Sequence, residues 1–523
     1  MNSSAKSPSQ STGSGSTPPT KKNSSLGRWL WPIAGLILLA YGLLAFNSGI
    51  KLSPLTNTAD NNAEVAAYVY EQASLGVDLR GTPEVKQVVP LWANLMSEIS
   101  SSQYAYGEGS AQQIEIFYFS MSEAGRKILS SHMMLGVILM VAGFLQFWPA
   151  FRRRFRKAHR VLGVLYILAA LISMTMSGIH LVQTGIADTF NTYVFFVGLW
   201  FLLVGVLLSI FLATVALVRK DIARHLGWQA LGFGYLLTAP LQRIDWLALS
   251  AIAGETNTFN EMNLGVNVVL YAQATLVTLL LFWLNRSSSP LKAKAPLNWR
   301  QVSPKLERIG YAIIFVLGLS MLLPMMVFKS IADIGFMQRF ISESALNWLA
   351  SVVDGKLVLP FAAAVILLLA SAWAQLIRLR RANLQVSISR HLTSISAITV
   401  AAISLYWGYQ LGLPSDEHSI AGSGFALFGV LILLFWSLMT YMSASNRTGT
   451  AVESLQLLLL IATAPVTMIP LIWFLEATGL VLYEYQILNA GYEIAIIAAL
   501  YLPILAGFLL TMYSAETSRY RIS

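Results

Sequence analysis

Twelve stretches of about twenty mostly apolar residues recur along this chain, near 29–48, 128–150, 160–183, 191–218, 226–250, 264–285, 308–328, 357–379, 392–412, 423–444, 452–476 and 493–514. Each is long enough to cross a hydrocarbon core of about 30 Å as a helix. A backbone in lipid must pair its own N–H and C=O groups, so such a pattern folds as a helical bundle. Composition agrees: 56% of the 523 residues are hydrophobic and 11% are charged, against about 25% charged in water-soluble domains. The expectation is an all-α polytopic transmembrane bundle of about twelve helices, with the lipid bilayer as its first partner. No cysteine is present, which excludes disulfides, thiolate metal sites and cysteine nucleophiles.

The formal charge of +10 does not point to nucleic acid, because the basic residues lie in short loops between apolar blocks, where they orient helices. One side receives the N-terminal tail, Arg152-Arg153-Arg154-Phe155-Arg156-Lys157, Arg219-Lys220, Lys292, Lys294, Arg300, Arg378 to Arg381, Arg447, Arg519 and Arg521. The other receives the loop 51–127, the 184–190 turn and Asp416-Glu417. The positive-inside rule puts the first set, and both termini, in the cytoplasm.

These segments divide the chain. Residues 1–27, rich in Ser, Thr, Pro and Gly, read as a disordered cytoplasmic tail. Residues 28–50 form the first transmembrane helix, an anchor without a small-residue cleavage site. Residues 51–127 are an extracytoplasmic loop or a small, mostly helical cap without a catalytic motif. Residues 128–285 are a histidine-bearing transmembrane bundle. Residues 286–306, with Pro290, Pro296 and Pro304, are a cytoplasmic linker, and 307–523 a second half of six helices.

The halves resemble each other at an offset near 230 residues. Gly125-Arg126-Lys127, Gln146 and His159 correspond to Gly355-Lys356, Gln375 and His391; Thr238-Ala239-Pro240 to Thr463-Ala464-Pro465; Leu270-Tyr271 to Leu500-Tyr501. This favours two parallel six-helix repeats. His132 then aligns with Phe361 or Ala362, His180 with about Gly412, His225 with about Thr450 and Arg243 with about Met468. The polar positions belong to the first half alone.

Four of the six histidines form a pattern. His132 lies near the start of an inward helix and His180 near the end of an outward one, at a shared outer depth, while His159 and His225 both open helices on the cytoplasmic side. One histidine per helix at matched depth suits the two axial ligands of a haem iron. His159 and His180 are about 31 Å apart along a helix, which leaves the inner pair at the bilayer edge beside arginines. His132 and His180 are therefore the favoured metal ligands; His159 and His225 form a second candidate pair that interfacial contact with headgroups also explains. Arg243, 18 residues after His225, reaches about the level of His180. A cation there either meets a haem propionate, a quinone oxygen or a carboxylate, or snorkels to the interface and pairs with Asp245.

His132, Gly136, Gly143 and Gln146-Phe147, then His159-Arg160, Gly163 and Tyr166, then His225, Trp228 and Arg243 together resemble a widespread bacterial family of predicted multi-pass membrane proteins of unknown function. The resemblance covers about residues 128–250 and implies the cytoplasmic (inner) membrane of a bacterium. The family has further basic residues after its third histidine, where Leu226, Gly227 and Leu231 stand here. It brings no activity with it.

The best-fitting expectation is a membrane-embedded b-type haem protein with bis-histidine ligation and a quinone or other redox partner. A secondary transporter with its site between two repeats is the main alternative, supported by Pro240 and Pro465 at matched positions. A non-catalytic assembly or scaffold protein is the third. No Ser/His/Asp arrangement, metal-ligand helix motif or phosphate-binding glycine loop marks a hydrolase.

Overall fold

A computed structural model describes residues 25–186, 192–253, 257–286, 304–327, 343–353, 355–380, 388–413, 422–445, 447–481 and 490–518. Most of the N-terminal tail, most of the proline-bearing linker, Arg381, Asp416-Glu417, His418, Arg519 and Arg521 lie outside the described residues. Within them the chain is helical, without strands. Helix α1 (Ser25–Leu52) leads to five short helices, α2 (Asn62–Ser74), α3 (Pro83–Val88), α4 (Leu91–Ile99), α5 (Ser102–Tyr106) and α6 (Gln112–Ser120). The first half continues with α7 (Glu123–Phe147), α8 (Pro149–Arg154), α9 (Arg156–Gln183), α10 (Thr192–Val218), α11 (Ile222–Leu236), α12 (Thr238–Ala253) and α13 (Phe259–Arg286). The second half holds α14 (Pro304–Val327), α15 (Glu343–Val352), α16 (Gly355–Arg380), α17 (Ile388–Leu411), α18 (Ser423–Ala444), α19 (Thr448–Ile461), α20 (Ala464–Thr478) and α21 (Ala490–Ser518).

Among the described residues, ten helices are long and apolar enough to cross a membrane, and they coincide with ten of the twelve apolar blocks. The block at 226–250 is instead divided at Leu237 between α11 and α12, the block at 452–476 keeps a span at Gly449–Met468 that runs across the break between α19 and α20, and the block at 308–328 lies on α14, whose apolar part is the shorter Arg308–Ser320. Local chemistry explains several boundaries. Ser122 caps α7 by accepting from the Gly125 N–H at 3.2 Å. Lys220 takes a left-handed φ of 58° to end α10, and Asp221 then caps α11 by accepting from the Arg224 N–H at 3.2 Å.

Packing follows chain order. Helix α1 lies along α7, α7 on α9 and α10 on α11, while α11 and α12 both pack on α13. The same neighbours recur in the second half: α14 on α16, α16 on α17, α18 on α19, and α19 and α20 both on α21. Helices α13 and α21 pack on each other and join the sets. The hydroxyls of Tyr235 and Tyr501 hydrogen-bond across this junction, and Arg286 pairs with Glu453 at 2.6 Å. Glycines on α1 admit a close neighbour. A Cβ on Gly42 would stand 3.0 Å from the Cα of Val137, and one on Gly49 would stand 2.8 Å from the Ser130 carbonyl oxygen, so small residues let the two backbones approach.

Helices α2–α6 bury a core of their own, including Val69, Val88, Met96 and Tyr106, that continues into Trp246, Phe259 and Met262 of α12 and α13. The indoles of Trp92 and Trp246 meet at 5.2 Å, and Trp246 meets Phe259 at 4.8 Å. These short helices therefore cap one end of the first half. Residues Arg152 to Lys157 mark its opposite, arginine-rich end.

Candidate functional site

At the cap end, α7 and α9 bring His132 and His180 to one seam. The Nδ1 of His132 lies 3.0 Å from the Ser173 carbonyl oxygen and 2.9 Å from the Ser173 hydroxyl. Ser173 precedes His180 by seven residues, about 10 Å of helix rise, so the rings are staggered rather than level. The His180 side chain leans back toward the start of α9, and the two imidazoles are close enough for their charges to interact. His180 is buried, with its Nδ1 3.3 Å from the Thr184 hydroxyl and its ring edge-on to Tyr118 at 5.9 Å.

Tyr118 belongs to α6, so the cap closes over this histidine. One turn earlier on α6 is Glu115. Burial pushes its carboxyl up to about 7, against the opposing pull of Arg243 and Lys51. Burial likewise raises the Tyr118 hydroxyl, and Glu115 adds to that while Arg243 opposes it. Arg243 forms no ion pair with Asp245 among the described residues. Its guanidinium lies 4.7 Å from the centre of the Trp246 ring and 5.7 Å from that of Trp92, and its Nη1 donates to Gln242 Oε1 at 2.9 Å. Gln242 and Trp246 in turn donate to Asn263 Oδ1 at 3.3 and 2.8 Å. Asp245 takes a different partner, accepting from Gln273 Nε2 at 3.2 Å.

The second pair meets at the arginine end. His225 Nδ1 lies 3.0 Å from the Ala213 carbonyl oxygen. The Nδ1 of His159 is buried with no hydrogen-bond partner among the described residues, and the charges of Arg152, His225 and Arg160 all reach it. Gln146 Nε2 donates to the His159 carbonyl at 3.3 Å. Between the ends, Phe147, Tyr166 and Phe233 form an aromatic core, with Phe147 and Phe233 stacked at 5.3 Å.

The sequence puts His132 and His180 at one depth, whereas the structure sets His132 on Ser173, seven residues before His180; Arg243 lies near Glu115 and Tyr118 of the cap, and His159 near His225 at the far end. Missed in the sequence were Glu115 and Tyr118, whose signal was an acid within the apolar run Ile114-Glu115-Ile116-Phe117-Tyr118-Phe119. Ser173 gave no signal, since a serine in a membrane helix is commonplace. No group of three or more His, Cys, Asp or Glu able to hold a metal occurs among the described residues.

Residues 129–284 match the family described as a predicted membrane protein, DUF2306. The matched stretch runs from α7 to the end of α13 and contains both histidine pairs, Arg243 and the α11–α12 break. The cap and the second half lie outside it. No curated protein and no solved structure matches the chain.

Proposed function

We propose that this is a membrane-embedded redox protein of the b-haem type, with one bis-histidine haem toward each end of the first half. His132 and His180 are the ligands at the cap end, and His159 and His225 at the arginine end. One observation carries the reading. In each pair, one imidazole sets its Nδ1 3.0 Å from a backbone carbonyl, His132 on Ser173 and His225 on Ala213. An Nδ1–H that donates to a carbonyl leaves the lone pair on Nε2, the tautomer that an iron ligand needs. The second member of each pair lacks such a bond: His180 has long contacts to Thr184, and the His159 Nδ1 is unpartnered among the described residues.

Cations suited to propionates lie near His159, Arg152 and Arg160, and at the cap end Arg243 and Lys51 lie near Glu115. Two haems separated along the bundle would carry electrons across a bilayer, with the arginine end in the bacterial cytoplasm and a quinone or a second redox protein as partner. The test is a dithionite-reduced minus air-oxidised spectrum of the purified full chain. Two haems per chain are expected, with His132→Ala and His225→Ala each removing one. A colourless protein from haem-replete cells would sink the reading.

A second reading, a secondary transporter, is favoured by the paired helix breaks. The chain interrupts its helices at Leu237 and again at Ala462-Thr463, each followed by Ala-Pro, in two sets of helices with matching neighbours. A duplicated six-helix unit accounts for that correspondence, and broken helices at matched positions are where carriers place their substrates.

A further inference from the structure

The Asp245 side chain of α12 meets the Gln273 side chain of α13 at a contact that neither histidine pair uses. Gln273 Nε2 donates to Asp245 Oδ1 at 3.2 Å. The second oxygen of each group, Asp245 Oδ2 and Gln273 Oε1, is buried with no hydrogen-bond partner among the described residues. The carboxyl also lacks a counterion. Asp245 takes part in none of the ion pairs among the described residues, and no charged side chain among them acts on it. Arg243, on the same helix, faces two indoles and Gln242. Helix α12 packs on α4, α11 and α13, whose charged groups are committed elsewhere or are acids themselves. Glu98 of α4 is an acid. On α11, Arg224 pairs with Asp221, and His225 turns to the Ala213 carbonyl. On α13, Glu261 accepts from the Thr258 N–H, and Arg286 pairs with Glu453.

An ionised Asp245 would therefore bring two orphaned acceptor oxygens to one contact, with its own charge uncompensated. Apolar surroundings penalise both. One proton removes both faults. A carboxylic acid presents an O–H donor beside an acceptor, and a primary amide presents an acceptor beside an N–H donor. With Asp245 in the acid form, Oδ2–H can donate to Gln273 Oε1 while Oδ1 keeps its bond from Nε2, and both orphaned oxygens are met.

We propose that Asp245 is a proton-binding site, its proton carried on Oδ2 and shared with the Gln273 amide. Binding turns a carboxylate and a proton into the neutral acid and ties α12 to α13 by two hydrogen bonds instead of one. The tie falls about two turns past the α11–α12 break, so release of the proton would loosen α12 there. The proposal rests on neither haem nor transport. It is tested by infrared spectroscopy of the detergent-purified full chain at neutral pH, read as wild type minus variant. An un-ionised carboxylic acid has a carbonyl stretch above the amide band, and Asp245→Asn should remove one such band. Gln273→Leu should keep that band and move it to higher frequency, because the acid loses its partner; this variant leaves Asp245 itself untouched. Thermal melts give a second readout. Asp245→Asn still offers Gln273 one donor and one acceptor and should melt within about 1 °C of the wild type, whereas Gln273→Leu should lower Tm by about 2–4 °C. Difference spectra in which neither variant alters an acid band overturn the proposal. So does a fall in Tm for Asp245→Asn as large as that for Gln273→Leu, which would show that the fold holds Asp245 as an anion.

Discussion

The two halves of the molecule share neighbours but not chemistry. In the first, α7 and α9 meet through His132 and Ser173. About 230 residues on, α16 and α17 meet through Phe361, whose ring packs on Trp407 at 4.9 Å and on Phe428 at 6.4 Å. Ser404 stands about 230 residues after Ser173, and its hydroxyl donates to the Val400 carbonyl of its own helix at 2.8 Å. Arg243 has Met468 near its counterpart position, and Asp245 has Pro470 or Leu471. The same order of helix neighbours thus occurs in the second half with apolar contacts near the place where the first half has a histidine. Polar residues in the first half are free to serve a ligand.

The comparison can be broken at its aromatic end. Phe361→Ala should destabilise the protein by about 3–4 kcal/mol, as expected for removing a buried ring, read from melts in detergent. An effect no larger than that of His132→Ala would mean the second half is not held by the packing described. The next largest effect belongs to the cap, which the second half lacks among its described residues. Burial holds the Glu115 carboxyl at about 7, above its ordinary 4.5, so the folded protein binds that proton more tightly than the unfolded chain. The stabilisation is full below about pH 4.5, declines as pH rises toward 7, and is lost above it. Glu115→Gln should remove this slope and leave the variant more stable than the wild type at pH 8 by about 2 kcal/mol. A variant less stable at pH 8 would show instead that Arg243 and Lys51 depend on the charge.

The smaller effects sharpen the contrast between the two serines. Ser173→Ala should cost about 1 kcal/mol and, under the redox reading, loosen retention of the cap-end haem, visible as a lower haem-to-protein ratio after gel filtration. Ser404→Ala should change stability by less than about 0.5 kcal/mol, since a hydroxyl bonded within its own helix contributes little to packing. If the two alanine variants behave alike in both assays, Ser173 has no special relation to His132.

Much of the fold was legible because lipid imposes it. Length, apolarity and loop charge marked the spans before any contact was known, and the histidines stood out because ionisable groups are rare in apolar sequence. The site's company was not legible. Glu115 comes near Arg243 only because the cap packs on α12 through α4, more than 120 residues later in the chain than Glu115, and no local pattern encodes such an approach. Asp245 was two residues from Arg243 and looked like its partner, yet a helix turns residues two apart to different faces, so each bonds elsewhere. The break at Leu237 was foreshadowed by Pro240.

The glycines of α1 bear on how the chain is assembled. Leu52 and Glu123 are separated by 70 residues, so at ordinary synthesis speeds α1 waits on the order of ten seconds before α7 emerges. Through that interval it must persist alone in lipid, and its many outward leucines and isoleucines suit it to do so. Gly42 and Gly49 keep a shallow channel open along one side, a berth ready for the late-arriving helix. A bulky residue there would leave insertion of α1 intact and strike the later step, yielding chains that are inserted but never consolidated.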